Sequence, residues 1–181
     1  MKNSIFYISI EEYLEQREEL NPYQSSLFDF LYMTGARISE AFNIEKRHFN
    51  FEKSTVFIPT LKNPNHPIRE VRLAPRERTM LDNLSNAIDL TDEGPIWRIP
   101  TYKHPRKRAW ELSKKHFNCT THSFRHTHAT TLVRDYGANL HELMQEMGWS
   151  DPKPALIYVS YSFGESLDKK INEKENRKYL S

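Results

Sequence analysis

Two hydrophobic periods divide this chain. Up to about Asn50 the apolar residues follow helical spacing, and beyond it they alternate with polar ones as in a half-buried strand. Ser9 followed by Glu12 is a capping-box signature and predicts a first helix from Ile10 to about Leu20. Asn21 and Pro22 read as the cap and first residue of a second helix reaching Met33. Thr34-Gly35 interrupts it, and a short third helix carries Arg37, Ile38, Ala41 and Phe42. That reading puts Arg37 in a first turn whose free amides favour an anion. Val56 and Ile58 face one way and Val71 and Leu73 repeat the pattern, so Ser54 to Leu61 and Ile68 to Leu73 form an antiparallel pair with Lys62 opening their connection. A helix near Arg76 to Ile88 and a third strand around Pro95 to Arg98 follow. From Tyr102 the chain is helical again, with Gly137 as a C-cap and Asn139 opening the next helix. The fold class expected is α+β, mostly helical, with a small three-stranded antiparallel sheet at one edge.

A length of 181 residues is one domain's worth and buries a core without covalent staples. The single Cys119 excludes an internal disulfide framework and reads as a small buried apolar residue in a reducing compartment. No run of eighteen apolar residues occurs and the N-terminus lacks a signal pattern, so the expectation is a cytoplasmic or nucleoid-associated protein with no membrane partner. A formal charge of +2 says little, but its distribution says more. Eight basic residues (Arg98, Lys103, Arg106, Lys107, Arg108, Lys114, Lys115 and Arg125) stand against one acid, Glu111. Such a run is commonly a solvated helix face; because it ends at the motif described next, a surface tracking a nucleic-acid backbone is the better account. The last stretch, Glu165 to Leu180, has sparse apolar points and buries too little to fold firmly alone.

The string THSFRHTHAT, Thr121 to Thr130, sets His122 and Arg125 on one helical face. Arg125 suits two phosphate oxygens through its fixed fork, while His122 gives or takes a proton. Upstream lie TGARISE, with Arg37 and Glu40, and Lys62 within FIPTLKNPNHPIREVRL; downstream lie Trp149 in MGWS and Tyr158 in LIYVSYS. In this order the residues resemble the tyrosine recombinases, the phage integrase family, over roughly Ile8 to Phe163. The family pattern is Arg, Lys, His-x-x-Arg, His or Trp, then a nucleophilic Tyr.

That resemblance implies an integrase-type catalytic domain over residues 1–164, a tail at 165–181 that docks on a neighbouring protomer or frays, and a partner in double-stranded DNA. It implies cleavage and rejoining of DNA strands through a 3′-phosphotyrosine, for integration, excision or inversion of a mobile element. Tyr158 would attack the phosphorus, His122 help it lose its proton, Arg37 and Arg125 hold the non-bridging oxygens, and Lys62 protonate the departing 5′ oxygen. Trp149 would offer its indole N–H to the phosphate, and Glu40 would orient Arg37. Tyr161 competes with Tyr158, which stands at the family's usual distance of about nine residues from the Gly-Trp pair, and Lys46 and Lys53 lie near enough to compete with Lys62. His126 takes a packing or hydrogen-bonding role. A tetrameric assembly on two duplexes, with or without DNA-bending accessory proteins, follows by analogy. The family commonly carries an N-terminal helical core-binding domain for which this chain has no room, so the sequence is either a catalytic fragment or a short stand-alone recombinase. The rival readings are a silent DNA-binding relative and a type IB topoisomerase. No cofactor is expected: the five glycines form no phosphate loop, and Ser123 stands where a helical zinc site of the hydrolytic kind needs a Glu after its first His.

Overall fold

The computed structural model describes residues 6–60, 68–73, 78–91, 93–97 and 103–160. The chain divides into two compact units, Met1–His128 and Ala129–Ser181.

In the first unit, α1 (Ile10–Arg17) starts where the Ser9 hydroxyl accepts the Glu12 N–H at 3.2 Å. The helix α2 (Pro22–Thr34) starts where the Asn21 side chain accepts the Gln24 N–H at 2.9 Å. Every residue from Ser25 to Thr34 is buried, so beyond its first turn α2 has no solvent face and is the central helix of the unit. Against it packs α4 (Arg78–Asp89), whose Met80, Leu84, Ala87 and Ile88 form its buried stripe. The one charge inside α2 is Asp29, which is wholly buried. It accepts from the Tyr13 hydroxyl at 2.6 Å, from Arg17 Nη1 at 2.6 Å and from the Asn83 amide at 3.2 Å. Burial raises the Asp29 carboxyl, against the bonds from Tyr13 and Arg17 that hold it down. The network ties α1, α2 and α4 together, and losing one partner of such a buried pair costs about 3–5 kcal/mol.

The sheet is antiparallel, in the order β1 (Phe49–Asn50), β2 (Thr55–Pro59), β3 (Ile68–Arg72). Val56 sits opposite Val71 and Ile58 opposite Arg69, on the buried face. The third strand is therefore not the stretch beginning at Pro95. Pro95 makes only an isolated bridge to Glu45, because proline has no N–H to donate to a ladder. Phe49 and Asn50 pair instead with Val56 and Thr55. The Asn50 side chain accepts the Lys53 N–H at 3.1 Å, which closes the turn that brings the strands together.

Helix α5 (Pro105–Phe117) has Pro105 in its first turn and ends at Asn118 in the left-handed region, φ 46°. The next residue, Cys119, is buried; the Ser113 hydroxyl donates to its carbonyl at 3.0 Å, and burial pushes its thiol up. Helix α6 spans Thr121–Arg134. Phe124 on α6 meets Phe117 edge-on at 5.1 Å between centroids, and Tyr13 stacks on Tyr32 at 4.4 Å, so aromatic pairs join α1, α2, α5 and α6.

In the second unit, α7 (Leu140–Met147) opens with a reciprocal box: the Asn139 N–H donates to Glu142 at 2.8 Å, and the Glu142 N–H donates to Asn139 at 3.1 Å. Gly148 ends it in the left-handed region, and the Trp149 N–H returns to the Met144 carbonyl at 2.9 Å. Residues 153–160 are helical.

Candidate active site

The site in the first unit is built on the turn after α2. Gly35 takes φ 58°, and its N–H closes on the Leu31 carbonyl at 2.9 Å. The Thr34 hydroxyl donates to the Phe30 carbonyl at 2.6 Å and accepts the Ala36 N–H at 3.2 Å, which fixes the next step of the chain. Gly35 lies directly on α6: a Cβ there would come within 2.8 Å of His128 Cδ2. Its carbonyl accepts Nη1 of the buried Arg125 at 2.6 Å. One glycine thus delivers both an acceptor that aims Arg125 and the chain direction that leads to Arg37.

Arg37 is the N-cap of α3 (Ile38–Ala41), a single turn. Its backbone N–H donates to Glu40 Oε2 at 2.8 Å and its Nη1 to Glu40 Oε1 at 2.7 Å. The expectation that Arg37 lies in the first turn is corrected: it is the N-cap, its own backbone N–H is taken by the Glu40 carboxylate, and its guanidinium is partly exposed. Glu40 is wholly buried and also accepts Nη2 of Arg69, on β3, at 3.2 Å. Burial raises the Glu40 carboxyl, but Arg69 and then Arg37 outweigh it and leave it below the ordinary range.

His122 and Arg125 sit one turn apart on α6, the first exposed and the second buried. His122 is held below its ordinary value by partial burial, then by His126, Arg125 and Arg37. His126 meets the His122 ring edge-on at 4.7 Å, and burial and Arg125 lower it too. Both imidazoles are therefore biased toward the neutral form. The His122–His126 ring contact and the bond from Arg125 to the carbonyl of Gly35, two residues before Arg37, bring these four residues into one neighbourhood, with Glu40 bonded to Arg37.

Trp149 and Tyr158 belong to the second unit, where their rings stack at 5.7 Å with 16° between planes. Tyr158 is buried and Trp149 partly so. Lys62, Tyr161, Arg98 and the tail at 165–181 lie outside the described residues. Lys103, Arg106, Lys107, Arg108, Lys114 and Lys115 are all exposed on and just before α5, and Arg108 pairs with Glu111 at 3.7 Å. Among the described residues no three His, Cys, Asp or Glu side chains gather as metal ligands, and no helix is long and apolar enough to cross a membrane.

Two residues escaped sequence reasoning. Trp110 is 48% exposed on α5, one helical turn from Arg106, Lys107 and Lys114. A large aromatic residue inside the basic run was the available signal. Arg69 is buried on β3, and the alternation that turns Val71 and Leu73 inward turns residue 69 inward as well. A base on the apolar face of a strand was the clue.

The model of the phage integrase family matches residues 8–165. The tyrosine recombinase XerA of Thermococcus onnurineus (strain NA1) is 24% identical over 144 residues, covering 74% of this chain and 49% of that protein. The chain thus spans about half the length of this curated relative. The crystal structure of XerA recombinase superposes with a TM-score of 0.72 at 20% identity, over 94% of this chain and 65% of that one. XerH site-specific recombinase, bound to a palindromic difH substrate in a post-cleavage complex, gives 0.73 at 15% identity, over 94% and 54%. The Tn1549 transposon integrase in complex with circular intermediate DNA gives 0.65 at 17% identity, over 92% and 66%. With the family model covering most of its length, the chain belongs to the phage integrase family and has the fold of a tyrosine recombinase catalytic domain.

Proposed function

We propose that this chain is a site-specific DNA recombinase that cuts and rejoins strands through a 3′-phosphotyrosine, serving the integration, excision or inversion of a mobile element. The observation that carries the reading is the gathering of two guanidinium groups, Arg37 and Arg125, beside a neutral imidazole, His122. Two fixed cations suit the two non-bridging oxygens of one backbone diester, and the charge that develops on them in the transition state is where such donors act. A free phenol is only about one part in a thousand ionised at neutral pH, so its attack needs a base, and a neutral His122 is able to take the proton.

In this reading Tyr158 Oη bonds to phosphorus, the bond to the 5′ oxygen breaks, and that oxygen leaves as a hydroxyl with a proton from Lys62. Trp149 gives its indole N–H to the phosphate. Attack by a different 5′ hydroxyl reverses the step, expels the tyrosine and joins a new strand without an external energy source. The exposed base-rich face of α5 supports a duplex as the partner, with Trp110 set among the cations as an apolar contact. Four protomers on two duplexes, tail docking between protomers and DNA-bending accessory proteins belong to the same reading, as does action at the nucleoid.

The test is a nicked suicide substrate that traps the covalent complex. The wild-type chain is expected to give a DNA-linked protein band that Tyr158→Phe abolishes and Tyr161→Phe leaves intact. Loss with Tyr161→Phe alone moves the nucleophile, and a wild-type chain that binds DNA without forming the band refutes the recombinase reading in favour of a silent DNA-binding protein. Supercoil relaxation with no site preference points to a topoisomerase instead.

A further inference from the structure

Arg69 is buried at an inward position of β3 where its neighbours two and four residues on, Val71 and Leu73, are apolar. An aliphatic side chain would fill such a position without the cost of taking a charge out of water. Its Nη2 meets Glu40 Oε2 at 3.2 Å. The same oxygen accepts the Arg37 backbone N–H at 2.8 Å, while Oε1 holds the Arg37 guanidinium at 2.7 Å. Both oxygens of a wholly buried carboxylate are thus committed to Arg37, one to its backbone and one to its side chain. A carboxylate this close also cancels much of the pull Arg37 exerts on a phosphate, since the pair alone sums to zero. A second guanidinium on that carboxylate returns the sum to +1, so Arg37 stays fixed and its charge remains available.

We propose that Arg69 is a positioning residue for Arg37, acting through Glu40: it balances the carboxylate that aims the phosphate-binding arginine and ties that arginine to β3. The proposal rests on the reading of Arg37 as a phosphate clamp.

The test compares Arg69→Met, Arg69→Lys, Glu40→Gln and the Met/Gln double variant for single-turnover formation of the covalent complex on the suicide substrate, with DNA affinity and Tm measured beside it. Arg69→Met is expected to slow the step by about 10- to 100-fold, the range of lost supporting contacts, with affinity for the duplex within about threefold of wild type. Arg69→Lys restores most of the rate, because the charge facing Glu40 is kept. In the Glu40→Gln background, where no carboxylate remains to balance, the further change Arg69→Met costs less than about threefold, since residues acting through one another are non-additive. Independent, multiplying losses overturn the proposal. Where Arg69→Met unfolds the protein, Arg69→Gln runs the same cycle.

A second readout does not depend on cleavage. The guanidinium resonance of Arg37, assigned by comparison with Arg37→Lys, is expected to be resolved in the wild type and to move to the position of solvated arginines in Arg69→Met. An unmoved resonance overturns the positioning role even where the wild-type chain forms no adduct, an outcome that by itself sinks the recombinase reading.

Discussion

Replacing Gly35 by alanine perturbs two things at once. The backbone there has φ 58°, a conformation that costs an L-residue roughly 1–2 kcal/mol. The added methyl would lie 2.8 Å from His128 Cδ2 and 3.1 Å from its Cβ and Cγ. These atoms belong to a buried side chain rooted on α6, and Cβ cannot swing aside as the end of a flexible side chain would, so the turn and the helix must part. Forcing a methyl into a packed interior costs about 1–3 kcal/mol. Together the two terms give about 2–5 kcal/mol, which for a chain of this size lowers Tm by very roughly 5–15 °C. Urea unfolding and calorimetry read that loss directly. Parting the turn from α6 also draws the Gly35 carbonyl away from Arg125, so covalent-complex formation in the fraction that remains folded should fall by at least about tenfold. A Gly35→Ala protein less than about 1 kcal/mol below wild type, with its cleavage rate unchanged, would refute the claim that this glycine joins the two arginine-bearing segments.

The pH profile of adduct formation tests the charge state of His122. Its imidazole is held below 6.5 by burial, His126, Arg125 and Arg37, and the base is its neutral form, so the rate should fall only as pH drops through that lowered value. Arg37→Gln removes one of those cations, raises the imidazole again and should shift the acidic limb to higher pH; a wild-type limb above pH 6.5 speaks against His122 as the base. Binding measured against salt tests α5: Lys107→Ala and Lys114→Ala should each reduce the slope of log K on log salt by about 1, while Trp110→Ala weakens binding and leaves the slope alone. Filter-binding titrations across a salt series decide it, and unchanged slopes would take the duplex off this face.

The caps were the most readable part of the chain. Ser9, Asn21, Gly35 and Asn139 each satisfy or free backbone groups within a few residues, so local chemistry alone placed α1, α2, its end and α7. The hairpin of β2 and β3 was legible from alternation, but its third strand was not. Phe49-Asn50 is too short to show a period, and the apolar residues after Pro95 suggested a ladder that proline cannot join. Around the site, spacing paired His122 with Arg125 because both lie on one helix. The bond from Arg125 to Gly35 spans ninety residues of sequence, and no local signal carries such a contact. That Arg37 is the N-cap and not a first-turn residue is not legible from spacing, which shows Glu40 only as a side-chain orienter. The same carboxylate takes the backbone N–H as well, a choice that depends on the side chain folding back. Arg69 is hard to read because alternation marks Val71 and Leu73 by their apolarity, whereas a basic residue on the same face carries no such mark.

The lone thiol offers a practical handle. Cysteine reagents attack the thiolate, and Cys119 is both shielded from them and pushed toward its protonated form by burial. A second cysteine introduced at the exposed Lys103, ahead of α5, would therefore take a maleimide dye almost alone, without first stripping the native residue from the core. Singly labelled molecules made this way would let encounters with tethered duplexes be watched one at a time.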